Sequence, residues 1–274
     1  MCYIDAMEES GDGPVISVII PVLDALDDLP GLLDALLRQS LPIGRFEVIF
    51  VDNGSTDGSL DWLALNCRAG VRFLCCHDRR GSYAARNVGL NSARSENLAF
   101  TDSDGRPDPN WLEAGLKALT SAPRVAGSIE LVHSEFPSIN EFVDAGRFLR
   151  QRRFVSEGFG ATANLFVHRE VFDRIGAFEE RLISGGDHEF GQRATATGFP
   201  IIYAADTIVR HPCRKTLRSV SKKAFRVGFG FGQSMGLPNK SMLRSSFSRV
   251  TDRVKLSSGE ALKNGRKRPS DRSA

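Results

Sequence analysis

VISVIIPVLDALDDLPGLLDALLRQSLPIGRFEVIFVD, residues 15 to 52, holds two apolar runs with a leucine-rich segment between them. Val15 to Val22 and Phe46 to Asp52 have strand length and are apolar at almost every position, as parallel strands buried on both faces are. Leu26, Leu29, Leu32, Leu33, Leu36 and Leu37 keep helical spacing instead and mark one buried helix face. The pattern continues with strand-length runs at Val71 to Cys76 and Asn97 to Asp102, and helical segments near Ser59 to Asn66, Ser82 to Ala93 and Asn110 to Thr120. Strand and helix in strict alternation require right-handed crossovers, so the reading is an α/β fold with a doubly wound, mostly parallel sheet and flanking helices.

In such sheets ligands bind beyond the carboxyl ends of the strands. Pro21, Asp52 and Asp102 each close a predicted strand and are expected to meet in one crevice. The segment Asp52-Asn53-Gly54-Ser55-Thr56-Asp57-Gly58 also makes a good turn and helix cap; its position after a strand favours a nucleotide contact. Phe100 to Trp111 reads FTDSDGRPDPNW, placing Asp102 and Asp104 two apart where the strand runs out, so both lean to one side. Two such carboxylates suit a hard divalent cation, Mg or Mn, shared with substrate phosphate oxygens. Asp, Ser and Gly are equally the residues of an ordinary turn.

The second half is less regular. It predicts a helix from Ile139 to Arg153, a Gly-rich strand from Phe159 to His168, a helix from Arg169 to Ile175, and a helix opening near Asp187 and ending near Thr197. Short strands follow at Pro200 to Ala204 and Thr207 to His211. After Pro238 the sequence dissolves into Ser, Arg and Lys, where poor order is expected.

With 274 residues, 41% hydrophobic and 25% charged, the composition is that of a globular domain, not a fibre or a disordered chain. No apolar run approaches the ~18 residues of a membrane span, and the acidic start lacks the regions of a signal peptide. The expectation is a cytoplasmic protein. Five cysteines, two of them adjacent at Cys75 and Cys76, form no spaced framework and read as reduced thiols. The net charge of +3 hides a split: residues 210–274 hold 17 Lys and Arg against 3 Asp and Glu, leaving the first 209 residues acidic. A basic face or tail can meet an anionic membrane at its inner face, or merely aid solubility.

Seven short segments, each weak alone, occur in an order that resembles the inverting, nucleotide-sugar-dependent glycosyltransferases of family 2. They are Val15 to Pro21, Phe50 to Gly58, Arg80 to Gly89 (RGSYAARNVG), Asp102-Ser103-Asp104, Ala161 to Leu165, Gly185 to Glu189 and Arg210-His211. The resemblance covers about residues 15 to 230. It implies a GT-A fold with an extension at 1–14, a domain at 15–235 divided into a nucleotide-sugar half (15–108) and an acceptor half (109–235), and a basic tail at 236–274. It departs from the family's pattern twice. Leu23-Asp24 follows the first strand where Asn or Tyr is common, and the family's Glu-Asp pair appears as Gly186-Asp187.

The resemblance implies transfer of a sugar, most commonly UDP-linked, to the hydroxyl of a glycan or lipid-linked acceptor with inversion. It assigns Pro21, Val22, Asp24, Asp52, Gly54, Ser55, Gly81, Arg86, Asn87, Asp102 and Ser103 to the nucleotide sugar. Asp104, with help from Asp102, falls to the cation and Asp187 to the general base; Asn164, Gly186, Glu189 and Arg193 lie on the acceptor side or are structural. Asp187 and Glu189, two apart on a helix, cannot face the same way, and Glu189 stands four residues before Arg193 in the favourable order for an ion pair. Asp187 is also a natural helix cap. His211 reads as a third metal ligand or as a satisfied polar residue, and Arg86 as a phosphate partner or a helix-surface ion pair. His77, His133, His168 and His188 read as structural.

Leu217, Val220, Ala224 and Phe231 make a rough apolar stripe beside Arg218, Lys222, Lys223 and Arg226, fit either for a membrane surface or for docking on the chain's own domain; Gly228, Gly230 and Gly232 are expected to end that helix. Two rival functions remain: a sugar nucleotidyltransferase, which would want a Gly-rich basic loop after the first strand, and an inactive GT-A binding protein. Nucleic acid is not expected as a partner, because no reading motif or stacking set accompanies the basic charge.

Overall fold

The structure, a computed structural model, describes residues 13–147 and 149–234. The basic tail after residue 235 and nearly all of the N-terminal extension lie outside the described residues. The elements are β1 (Ile16–Val22), α1 (Leu29–Leu37), β2 (Phe46–Asp52), α2 (Ser59–Asn66), β3 (Val71–Cys75), α3 (Ser82–Ser92), β4 (Asn97–Thr101), β5 (Arg106–Pro107), α4 (Trp111–Leu119), β6 (Arg124–Val132), α5 (Ile139–Arg147), α6 (Gln151–Ser156), β7 (Asn164–His168), α7 (Arg169–Ile175), α8 (Gly186–Ala196), β8 (Ile201–Pro212) and α9 (Leu217–Ser234).

One sheet of eight strands runs in the order β3-β2-β1-β4-β7-β6-β8-β5. β1 pairs in parallel with β2 on one side and β4 on the other, and β2 with β3. The strand order therefore reverses between β1 and β4, which opens the crevice expected of a doubly wound sheet. β7 runs antiparallel between β4 and β6, and β8 returns parallel to β6.

Alternation along β1 sends Ile16, Val18, Ile20 and Val22 into one core with Leu29, Leu32, Leu33 and Leu36 of α1 and Trp111 of α4. Ile19 joins the opposite core with α3, α7 and α8 through Ala85, Phe172 and Phe190. Both faces are covered, which is why the strands read as nearly unbroken apolar runs. Gly89 lets α3 lie close on β1, since a Cβ there would fall 2.5 Å from the Ile19 side chain. Gly115 gives α4 the same closeness to the Phe166 ring, and loss of that fully buried ring would cost about 3–5 kcal/mol.

The second half departs from the pattern read in the sequence. The expected helix 139–153 breaks into α5 and α6 at Leu149, which adopts φ 58°. The strand expected from Phe159 begins only at Asn164, because the backbone turns at Ala161, whose carbonyl accepts the Asn164 N–H at 3.1 Å. The two strands expected around Ala204 and Thr207 are one, β8, whose irregularity is absorbed by a register shift against Gly127 and Ser128 of β6. β6 itself was not anticipated. α9 continues through Gly228, Gly230 and Gly232. Gly230 is needed there, since a Cβ would lie 2.2 Å from the Ser184 carbonyl oxygen. The predicted apolar stripe of α9 is buried only in part: Val220 is buried together with Lys223, whereas Leu217 and Ala224 are exposed.

Candidate active site

The carboxyl ends of β1, β2 and β4 lie side by side, as Pro21, Asp52 and Asp102 require. The loops that follow are sewn together by side chains. Asp52, buried, accepts the N–H groups of Gly54 at 3.0 Å and Ser55 at 3.3 Å, so its carboxylate shapes the turn. Asp24, at φ 48°, accepts the Thr56 N–H at 2.8 Å, while its own N–H donates to the Ser55 hydroxyl at 3.0 Å. The first two loops thus form one wall, with Pro21 and Val22 in β1 behind it.

Asn53, next to Asp52, extends the wall to a third loop. Its amide donates to the carbonyls of Cys76 and Arg79 and its oxygen accepts the Gly81 N–H at 2.6 Å. Gly81 has φ 132°, a conformation that a side chain would strain, and it releases the chain into α3.

α3 then carries Tyr83, Arg86 and Asn87 at helical spacing towards the other half of the molecule. Arg86 is buried and its guanidinium donates to Asp102 Oδ1 at 2.5 Å. Asn87 is used differently from the nucleotide contact expected of it: its amide donates to the Phe178 carbonyl and Glu180 and accepts the Phe178 N–H, pinning the segment after α7. Tyr83 donates to Asp187 Oδ1 at 3.3 Å.

Asp102, Asp104 and His211 offer ligand atoms that all lie within 4.8 Å of one another. His211 Nδ1 is 3.4 Å from Asp104 and Nε2 is 3.9 Å from Asp102. Nε2 is buried and has no hydrogen-bond partner among the described residues, so a buried nitrogen lone pair or N–H is left facing the carboxylates. Burial alone would depress the His211 pKa, but hydrogen bonding and charge from Asp104 outweigh it and raise the value. Burial pushes Asp104 up, and its contact with His211 more than reverses the effect. Two carboxylates and one imidazole converging with an unsatisfied buried atom form a donor set that fits a divalent cation. Ser103, half-buried, bridges the two aspartates in sequence.

Opposite this cluster, α8 is capped by Gly185, which adopts φ 84°. Asp187 lies in the first turn rather than at the cap, half-buried beneath the Tyr83 hydroxyl. Burial raises its pKa, against the lowering charge of Arg86. Glu189 faces elsewhere and forms an ion pair with Arg193 at 2.6 and 3.0 Å. Arg193 also donates to the carbonyls of Ile175 and Ala177, bracing α8 against the end of α7. Gly186 has no room for a side chain, because a Cβ would fall 2.7 Å from the Tyr83 ring. The missing glutamate of the Glu-Asp pair thus has a physical counterpart, an aromatic ring in its place.

Asn164 is structural: buried, it accepts the Trp111 indole N–H at 2.9 Å and donates to the carbonyls of Ser128 and Thr207, cross-bracing β6 and β8. Two residues without an assigned role in the sequence prove central. One is Tyr83, whose signal is its place three residues before Arg86 on the same helix. The other is Arg124, buried at the start of β6, whose guanidinium donates to the Gly191 and Phe199 carbonyls and the Thr195 hydroxyl and so fixes the frame of α8. Burial lowers the Arg124 pKa to about 10. A separate cavity of about 700 Å³, between α6 and the β6–β8 edge, is lined by Ile129, Leu149, Arg152 and Tyr203 but by none of the three cluster residues.

Known proteins give this geometry a context. The model of the family described as glycosyl transferase family 2 matches residues 17–176. The chain is 35% identical over 222 residues to glycosyltransferase AglE of Haloferax volcanii, covering 79% of this chain and 73% of that protein. It is 33% identical over 171 residues to the dolichyl-phosphate beta-glucosyltransferase of Drosophila melanogaster, covering 58% of this chain and 51% of that one. The fold is similar to the mannosyltransferase PcManGT of Pyrobaculum calidifontis in complex with GDP-Man and Mn2+, with a TM-score of 0.62, 20% identity, and coverage of 86% of this chain and 68% of that chain. It is also similar to S. aureus TarS 1-349 in complex with UDP-GlcNAc, with a TM-score of 0.59, 21% identity, and coverage of 73% and 59%. Several of these proteins are thus considerably longer than the part this chain spans. With its sheet order, its crevice and the match of the family model over more than half its length, the chain belongs to glycosyl transferase family 2.

Proposed function

We propose that this protein transfers a sugar from a nucleoside-diphosphate sugar, UDP-linked, to a hydroxyl of a glycan or lipid-linked acceptor with inversion at the anomeric carbon. The observation that carries the reading is the single helix α3, which joins the Asp102–Asp104–His211 cluster to Asp187 through Arg86 and Tyr83. The acceptor oxygen forms its bond to the anomeric carbon from the face opposite the leaving group. The bond from that carbon to the diphosphate oxygen breaks, and its electron pair stays on the diphosphate.

Asp187 takes the acceptor's proton. Its raised pKa brings it closer to the working pH, where a carboxylate is a better base. Tyr83 orients it. Arg86 holds the Asp102 carboxylate in place and adds positive charge between the two halves of the site, where negative charge builds on the leaving diphosphate. Asp104, Asp102 and His211 would hold a divalent cation, Mn or Mg, which supplies Lewis-acid neutralisation of that diphosphate.

The test is a panel of nucleotide sugars and acceptors with NMR assignment of the product's anomeric configuration. Transfer with retention, or no turnover with any donor that stabilises the protein thermally, overturns the proposal.

A further inference from the structure

α5 is turned inside out. Its two acidic residues point inward: Glu141 is 1% exposed and accepts the N–H groups of Ser134 and Ser138, and Asp144 is 0% exposed and accepts the Arg214 N–H and the Lys223 ammonium. Its apolar residues point outward. Ile139 is 75% exposed, Phe142 57% and Val143 41%, and Phe136 just before the helix is 85% exposed. Residues 139, 142 and 143 share one helical face, so this is a continuous apolar surface.

α9 lies against α5, joined by the Lys223–Asp144 ion pair at 3.4 Å, and Ser138 and Asn140 donate to the Lys215 carbonyl. It adds Leu217, 68% exposed, and Phe225, 46% exposed. Beside them Lys215, Arg218, Lys222 and Arg226 are exposed and make no ion pair among the described residues. Soluble surfaces rarely gather this much large apolar side chain in one place without a partner. Among the described residues no helix is long and apolar enough to cross a membrane.

We propose that the α5–α9 face seats on an anionic lipid bilayer. Phe136, Ile139, Phe142 and Leu217 enter the boundary between head groups and acyl chains, and Lys215, Arg218, Lys222 and Arg226 meet the acidic head groups. Charge selects this occupant over two others. A second copy would bring the same four cations against themselves. Residues 235–274 hold 10 Lys and Arg against 3 Asp and Glu, so that segment shares the sign of the face and is drawn to the same lipid rather than to the face. The surface deepens the transferase reading by favouring a lipid-carried acceptor, since Gly230 of α9 packs on Ser184, three residues before Asp187.

The experiment is flotation of the full chain with phosphatidylcholine vesicles, with and without phosphatidylglycerol, alongside sedimentation velocity without lipid. Binding should require the anionic lipid and weaken with salt. The double variant Ile139→Ser with Phe142→Ser should lose affinity on the order of tenfold or more, and Lys222→Glu with Arg226→Glu about fivefold per charge or more. Both pairs are exposed, and melting curves confirm that the variants fold. Failure of the wild type to bind anionic vesicles overturns the proposal. So does wild-type binding by both face variants while Arg266→Glu, Lys267→Glu and Arg268→Glu together abolish it, which would place binding in the tail. A dimer dissociated by the Ile139–Phe142 variant would assign the face to a second copy. None of these readouts depends on sugar transfer, so the surface stands or falls separately from the catalytic reading.

Discussion

Tyr83 and Asp187 are 104 residues apart in sequence, and the phenol donates to the carboxylate at 3.3 Å. The contact joins the first helix after the nucleotide-side loops to the first turn of α8, and it reaches the residue proposed as base. Burial, with the charge of Asp187 behind it, lifts the Tyr83 pKa well above its ordinary value, so the hydroxyl remains a donor at any working pH. Tyr83→Phe removes a hydrogen bond that favours ionised Asp187. kcat should fall about tenfold, the scale of a hydrogen bond to a charged group. The acid limb of the kcat profile should also move to higher pH, because Asp187 loses a stabiliser of its charged form. A lower kcat with an unmoved limb would mean that Tyr83 serves only packing.

Asp187 and Glu189 can be separated by function and by stability. Asp187→Asn should lower kcat by about 10²-fold or more and leave donor affinity nearly intact. Because burial raises the folded pKa of Asp187, the folded form holds that proton more tightly than the unfolded chain. The resulting stability is present in acid and is lost as pH rises through the folded value. Asparagine avoids that loss, so Asp187→Asn should melt above wild type at neutral pH, with the gap closing towards acid. Glu189→Gln should keep most activity and lose a few tenths of a kcal/mol, because its pair with Arg193 is about a third exposed. An active Asp187→Asn beside a stable, inactive Glu189→Gln would move the base to Glu189.

For the cation, the expected outcome is that Asp104→Ala and His211→Ala each weaken Mn2+ binding by about tenfold or more in calorimetry, with the fold retained. Chelator should abolish transfer, and added Mn2+ or Mg2+ should restore it. Full activity in chelator would sink the cation role, and unchanged Mn2+ affinity in His211→Ala would reduce His211 to a buried hydrogen-bonding residue.

The nucleotide half was legible because its strands are buried on both faces and end at strong turn signals. β2 and α2 fall at the positions that the sequence predicted. β6 escaped because only its first four residues are fully buried and it carries Gly127 and Ser128 at a register shift. The break at Leu149 was missed because that residue is neither Gly nor Pro, and Gly146 just before it was not weighed as a stop signal. The glycines of α9 misled because helix propensity was weighed without tertiary packing, above all the Ser184 carbonyl that Gly230 approaches. At the site, the spacing of Asp102 and Asp104 pointed to a cation and that of Glu189 and Arg193 to an ion pair. The nearness of His211 to Asp104, and of Tyr83 to Asp187, belongs to tertiary packing and has no local signature.

Gly186 offers a test of why this chain lacks the Glu-Asp pair. Gly to Ala inside a helix ordinarily gains about 0.5–1 kcal/mol. Here the new Cβ would press within 2.7–2.9 Å of three carbons of the Tyr83 ring, which is itself buried against Phe178 and cannot swing freely. Gly186→Ala should therefore destabilise by about 1–3 kcal/mol, the cost of overpacking. Gly186→Glu should lose more, since it would add a carboxylate to a buried site. The partner change decides the cause: Tyr83→Ala opens the space, so the double variant Tyr83→Ala with Gly186→Ala should be more stable than the sum of the two single losses predicts. Denaturant melts of the four proteins give that coupling directly. Additive losses would show that the ring does not exclude the side chain, and the absence of the glutamate would then need another explanation.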